Sequence, residues 1–299
     1  MKQYSYFPGC CMEGSARPYD TSLQAVSKAL DFELIELENW NCCGSTPFGS
    51  TTQLEFISMA SRNLAIAETK GLELVTACSD CYLTLNQANA ELEKYPDVKK
   101  KIGDILNSVG LKYNGTVKIK HLTQVLIKDV GLEQIKSRVV KPLEGLKIAS
   151  YYGCQLVRPI AGFDDPEFPE FLDRLVSVLG GETTEFPLKA RCCGGASMIY
   201  QPDLALDLIH KLLESASAGG AELIVTPCPL CQTNLDGYQG FLNRKFKTNY
   251  NLPILYFTQL IGLAIGLSPK NLGMDQLVLS PKKLLNQYFA AGPQTVKGA

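Results

Sequence analysis

The chain has 299 residues, 45% hydrophobic and 20% charged, with a formal net charge of −1. That length accommodates two ordinary domains, and the composition is that of a soluble globular protein. The near-zero charge, without a dense Lys/Arg block, excludes the electrostatic footprint of a nucleic-acid binder.

Taken in chain order, short apolar runs alternate with amphipathic stretches. The opening Met-Lys-Gln-Tyr-Ser-Tyr-Phe-Pro-Gly lacks the apolar core of a signal peptide. Residues 3–7, 34–37, 72–76 and 117–120 predict strands. Between them 21–30, 54–70 and 82–94 predict helices, with Leu54, Ile57, Ala60 and Leu64 on one face. Lys99-Lys100-Lys101 and Lys282-Lys283 read as solvated helix faces. A Pro- and Gly-bearing connection near Val140-Lys-Pro-Leu-Glu-Gly145 marks a boundary. Beyond it, strands are predicted at 147–151, 183–186, 223–226 and 254–256, and helices at 168–179 and 204–217. Residues 252–267 are the most lipid-like, but Pro253, Gln259, Gly262 and Gly266 interrupt them, so they predict a buried strand and helix without a transmembrane span. Residues 277–291, with Leu284, Leu285, Tyr288 and Phe289, predict a helix that docks on the body or on a partner. Residues 292–299 predict a loose end. The expected fold is α/β: two duplicated, pseudo-symmetric Rossmann-like domains with mainly parallel sheets, at 1–141 and 142–267, and a partly helical extension at 268–299.

The location expected is cytoplasmic, with any membrane association made through partners. Thiols stay reduced there, so eleven cysteines point to metal or redox chemistry rather than structural disulfides. They are arranged as a repeat. Cys10 is followed 32 positions on by Cys42-Cys43, then 35 after Cys43 by Cys78-x-x-Cys81. Cys154 is followed 38 positions on by Cys192-Cys193, then again 35 after Cys193 by Cys228-x-x-Cys231. The flanks repeat too: Tyr6-Phe-Pro-Gly-Cys10 with Tyr151-Tyr-Gly-Cys154, Leu72-Glu-Leu-Val-Thr-Ala-Cys78 with Glu222-Leu-Ile-Val-Thr-Pro-Cys228, and His121-Leu-Thr-Gln with Tyr256-Phe-Thr-Gln. Such internal repetition indicates duplication. Cys11 has no counterpart, since Gln155 stands there, and reads as a packing or spare thiol.

Cys10, Cys78, Cys154 and Cys228 each fall just past the carboxyl end of a predicted strand, the edge where open α/β sheets build their sites. Gly9, Gly44, Gly153 and Gly194 beside them would let backbone approach a bulky inorganic group, or would simply make turns. Four readings of five thiols compete. Structural zinc takes four ligands, commonly from two Cys-x-x-Cys knuckles, and each half offers one. A thioredoxin-style disulfide uses two cysteines and leaves three idle. Inert core cysteines do not come in two spaced sets. An iron–sulfur cluster accounts best for adjacent thiols, because neighbouring sulfurs can serve different irons.

These two sets resemble the CCG domain, and nearly the whole chain resembles the B subunit of heterodisulfide reductase. The resemblance runs from Tyr6-Phe-Pro-Gly-Cys10 through Tyr151-Tyr-Gly-Cys-Gln-Leu-Val-Arg-Pro159 to Leu255-Tyr-Phe-Thr-Gln-Leu-Ile-Gly262 and beyond. It implies two non-cubane 4Fe–4S clusters, one on Cys10, Cys42, Cys43, Cys78 and Cys81, the other on Cys154, Cys192, Cys193, Cys228 and Cys231. Zinc or a smaller cluster in one half stays open. It further implies two-electron reduction of a mixed disulfide between the clusters, one electron to each sulfur. Electrons would come from an HdrC-like partner carrying cubane 4Fe–4S clusters and ultimately from an HdrA-like flavin partner, since no Gly-x-Gly-x-x-Gly is present for a flavin here. Other CCG proteins imply two alternatives, a sulfur-oxidising assembly and a subunit that relays electrons or anchors another oxidoreductase. Arg17 and Arg158, at matching places in the repeat, are candidates for an anionic coenzyme tail or for pairing with a carboxylate. Lys189 and Arg191, just before Cys192, could raise a cluster's potential, or be ordinary surface residues.

Overall fold

Two four-stranded parallel sheets organise the chain, in a computed structural model that describes residues 1–45, 52–158 and 164–289. The first holds β1 (Lys2–Tyr6), β2 (Phe32–Glu36), β3 (Leu74–Thr76) and β4 (Ile119–His121) in the order β2-β1-β3-β4. The second holds β5 (Lys147–Ser150), β6 (Glu182–Thr183), β7 (Leu223–Thr226) and β8 (Ile254–Tyr256) in the equivalent order β6-β5-β7-β8. The inner strands β3 and β7 are buried along their whole length, which is why Leu-Val-Thr and Leu-Ile-Val-Thr show no polar alternation. In both orders the chain goes to one side of its first strand and then returns to the other. That places the switch point between β1 and β3, and between β5 and β7.

Helices cover the sheets: α1 (Cys10–Glu13), α2 (Arg17–Ala29), α3 (Gln53–Lys70), α4 (Ser79–Lys94) and α5 (Pro96–Ser108) in the first half. A helical run follows β4, made of α6 (Leu122–Gln124), a π-helical stretch Val125–Gly131 and α7 (Leu132–Ser137). The second half carries α8 (Phe171–Val178), α9 (Ser197–Tyr200), α10 (Pro202–Ala218), α11 (Pro229–Gly237), α12 (Gln239–Phe246) and α13 (Phe257–Ala264). Last comes α14 (Lys282–Phe289), which docks on the second half through buried Leu285 and through Tyr288, whose hydroxyl donates to Glu222 and lies 3.3 Å from the Gly145 carbonyl. The helix expected at 277–291 begins only at Lys282, since 277–281 runs irregularly up to Pro281; its positions 290–291, and the end expected at 292–299, lie outside the described residues. The lipid-like 252–267 stretch is β8 and α13, and among the described residues no helix is long and apolar enough to cross a membrane.

Each half has its own apolar core, and a third core joins them. In that shared core α2 lies against α13 across the seam, and α7 against α8. Tyr19 stacks on Tyr256 with ring centroids 4.2 Å apart and planes 12° from parallel, and its hydroxyl donates to the Pro227 carbonyl at 3.0 Å. Beside them the hydroxyls of Ser22 and Thr258 are 2.6 Å apart.

Two expectations need correction. The strand expected at 183–186 is a two-residue edge strand, Glu182–Thr183, exposed at both positions. Thr184 still donates to Ile148 at 3.0 Å, but the chain then leaves the sheet toward Pro187. Second, α5 and the run from Leu122 to Ser137, π-helical over Val125–Gly131, are helical beyond the helices read from the sequence. α5 buries Ile102 and Leu106, and with Val98 and Ile105 these stand at helical spacing, so its stripe was present in the sequence.

Candidate functional site

The cysteines sit at the switch points because the strands that precede them end there. Cys78 and Cys228 follow β3 and β7 at the residue that starts α4 and α11, which puts Cys81 and Cys231 one helical turn further on. Cys10 and Cys154 follow β1 and β5 through Gly9 (φ +73°) and Gly153 (φ +70°). These glycines are dictated by the sulfurs: a Cβ on Gly9 would lie 2.8 Å from Cys81 Sγ, and one on Gly153 would lie 3.0 Å from Cys231 Sγ.

Each set of five gathers in its own half. Cys42 Sγ lies 4.0 Å from Cys10 Sγ, and Cys193 Sγ lies 3.6 Å from Cys231 Sγ. Backbone N–H groups are aimed at the sulfurs: Gly44 at Cys42 (3.4 Å), Gly194 at Cys192 (3.3 Å) and Gly195 at Cys193 (3.4 Å). Asn234 Nδ2 adds a contact to Cys193 Sγ at 3.7 Å. Hydrogen bonds from Cys10 and Cys43 draw the Cys42 thiol well below its ordinary range, and Cys154, aided by Gly194, draws Cys192 down to about 6. Cys10 is pushed up by its hydrogen bonds with Cys11 and Cys42, and Cys154 by its bond with Cys192. Cys193 and Cys78 are drawn down as well, by hydrogen bonds from Cys231 and from Cys11. All eleven cysteines are free thiols, and among the described residues no three His, Cys, Asp or Glu side chains converge as the shell of one ion. Loosely gathered thiols with N–H donors, spared by glycine, suit a group with several metals better than a single ion.

Cys11 is half-buried at the seam, hydrogen-bonded to Cys10 and Cys78 and close enough to Cys228 for their charges to interact. Tyr19 and Tyr256 lie near Cys78 and Cys228 as well. The two sets therefore approach each other through Cys78 and Cys228. His121 is fully buried and not among the thiols: Nδ1 meets Thr123 at 2.8 Å, Nε2 meets the Ala77 carbonyl at 3.2 Å, and burial lowers its pKa to about 3.

A cavity of about 750 Å³ reaches Cys154, Cys192, Cys193, Cys228 and Cys231, and its opposite wall comes from α3 and α4 of the first half. Asp80, between Cys78 and Cys81, lines it; burial raises its pKa, and the Ser45 hydroxyl donates to it at 3.4 Å. Glu91 lines it further along α4, held by Gln53 Nε2 at 3.4 Å. Cys10 and Cys42 line a separate, open groove with Trp40, Glu13, Glu36 and Glu38. Sequence reasoning passes over Asp80 and Glu91. A signal for Asp80 exists: where the second half has Pro229-Leu230 in its knuckle, the first has Ser79-Asp80.

The candidate arginines lie away from this cavity. Arg17 Nε donates to the Glu13 carbonyl at 3.0 Å. Arg158 pairs with Glu167 at 3.0 Å and donates to the Pro166 carbonyl at 3.4 Å. Lys189 pairs with Asp173 at 3.1 Å, over the Tyr152 ring, and Arg191 is exposed.

The cysteine-rich domain family (CCG) matches residues 4–86 and 148–236, which takes in both sets of five. A relative from Wolinella succinogenes, the 8-methylmenaquinol:fumarate reductase membrane anchor subunit, is 35% identical over 95% of this chain and 99% of its own. The B subunit of the ferredoxin/F420H2-dependent CoB-CoM heterodisulfide reductase of Methanosarcina acetivorans is 32% identical over 97% of this chain and 98% of its own. A heterodisulfide reductase B-subunit-like protein from Archaeoglobus profundus is 33% identical over 90% and 93%. Among solved structures, a hypothetical protein from Helicobacter pylori superposes with a TM-score of 0.76 at 15% identity, over 93% of this chain and about half (52%) of that one.

Proposed function

The chain belongs to the heterodisulfide reductase B-subunit family of paired CCG domains, and from that premise we propose that it is the catalytic iron–sulfur component of a disulfide-reducing complex. The observation that carries the reading is the pair of complete thiol sets, each at a switch point, meeting at the seam through Cys78 and Cys228. Cys10, Cys42, Cys43, Cys78 and Cys81 would hold one non-cubane 4Fe–4S cluster, and Cys154, Cys192, Cys193, Cys228 and Cys231 the other. Bound there, the clusters supply single electrons at two places. The overall change is balanced: the S–S bond breaks, and each sulfur takes one electron and one proton. A partner with cubane clusters, fed by a flavin protein, supplies the two electrons. The chain's own part is to hold the disulfide in the cavity between Cys154 and Cys192 on one wall and Ser79 and Asp80 on the other. No protein thiol needs to act as nucleophile, so a poised exchange cysteine is not required.

Anaerobic iron and acid-labile sulfide analysis tests the site: two such clusters give about eight irons per chain. One or two zincs without sulfide would remove the proposal. Anaerobic addition of a disulfide to reduced protein tests the reaction, since the visible absorption of the oxidised protein must return.

The Wolinella succinogenes relative, similar along its whole length, favours a second reading in which the chain relays electrons within, or anchors, a quinol-linked reductase. Under it, reduced protein stays inert toward every disulfide yet passes electrons to a partner protein.

A further inference from the structure

The wall of the cavity carries information on what enters it. Among the described residues that line it, the charged ones besides the cysteines are Asp80 and Glu91, and there is no Lys, Arg or His. Its remaining polar groups are amides and hydroxyls, among them Gln87, Gln155, Thr84 and Ser197. The nearby cations are engaged elsewhere: Arg158 on Glu167 and Lys189 on Asp173. Arg191 is exposed and its residue is not part of the wall.

An anionic tail brought into such a half-enclosed space loses water and gains no counter-charge, and Glu91 repels it. Asp80 offers no positive charge in either protonation state. We propose that the cavity takes disulfides of small thiols without anionic tails, bearing hydroxyl or amide groups that the Gln, Ser and Thr side chains can hydrogen-bond. This rests on the disulfide-reducing reading for the nature of the substrate, and on the wall alone for its charge.

The test separates binding from reaction. Isosteres of hydroxyethyl disulfide and of dithiodipropionate, with one sulfur replaced by methylene, are titrated calorimetrically into the intact metal-loaded protein under anaerobic conditions. The neutral isostere is expected to bind about tenfold more tightly than the dicarboxylate, with the gap widening at low salt, where repulsion is less screened. Glu91→Lys, at the partly exposed mouth, is expected to close most of that gap. Equal or tighter binding of the dicarboxylate, a gap indifferent to Glu91→Lys, or no binding of either compound overturns the inference. If the neutral isostere binds as expected but the corresponding disulfide leaves reduced protein unoxidised, the charge inference stands and the disulfide-reducing reading falls.

Discussion

Gly9 and Gly153 show at single-residue scale how a site can constrain a backbone. Both have positive φ, where a Cβ costs about 1 kcal/mol, and both would place that Cβ against a knuckle sulfur. Gly220 is the control: φ is +77°, yet nothing lies within 4 Å of its added Cβ. Gly9→Ala and Gly153→Ala should therefore each lose about half the bound iron, one of two clusters, whereas Gly220→Ala should lose only stability. Iron analysis beside a thermal melt distinguishes the two effects. Cys11 makes the opposite prediction. It donates toward Cys78 without a counterpart in the second half, so Cys11→Ala should keep its iron while Cys78→Ala loses about half. His121 makes a third. Its pKa is about 3 when folded and near 6.5 when unfolded, so the unfolded chain binds the extra proton between those values. The His contribution is complete above pH 6.5 and is lost as pH falls toward 3. Between pH 7 and 5 it should cost about 2 kcal/mol. In His121→Asn, which keeps an acceptor at the helix start, that part of the slope should vanish from denaturant unfolding curves.

At the scale of elements, the fully buried strands were legible because burial on both faces writes an unbroken apolar run: inner 223–226 and edge 254–256 were read with the observed limits. The longest helices were legible because each buries a stripe, as α3 does through Ile57, Ala60 and Leu64. What escaped was decided by partners the sequence does not order. The π-helical stretch Val125–Gly131 buries Val125 and Leu126 in the core shared between halves, and that core exists only once both halves have docked. For Arg17 and Arg158 the repeat left open an anionic ligand or a carboxylate partner, and Arg158 has the carboxylate of Glu167 while Arg17 donates to the Glu13 carbonyl. The docking of α2 on α13 can be measured. Ser22 and Thr258 share one buried hydrogen bond; removing Ser22 strands the Thr258 hydroxyl, whereas removing Thr258 leaves Ser22 its bond to the Tyr19 carbonyl at 2.9 Å. Ser22→Ala and Thr258→Val should each destabilise by about 1–2 kcal/mol, and the double variant by clearly less than their sum. Additive losses would show that the two hydroxyls do not depend on each other.

For the molecule as a whole, duplication was the most legible feature, since ten thiols at repeated spacings leave little freedom in where a symmetric fold can put them. The departure from symmetry was not legible. Cys10 and Cys42 line an open groove edged by Glu13, Glu36 and Glu38, while the second set faces a cavity walled by the other half. Symmetric ligands and asymmetric surroundings together give the last prediction. Cys43, Cys78 and Cys81 are packed in a core of the first half, and Cys193, Cys228 and Cys231 in a core of the second, so neither set borrows a ligand from the other. Cys42→Ser and Cys192→Ser should thus each retain about half the iron, because one half assembles without the other. Reduction of a disulfide still needs two electrons, and a chain with one set emptied has a single place from which to deliver them. Both variants should therefore accept electrons from a chemical reductant but fail to be reoxidised by a disulfide. Loss of all iron from either variant would mean that the halves load as one unit. Full reoxidation of either would mean that a single set suffices, and the pairing across the seam would then have another purpose.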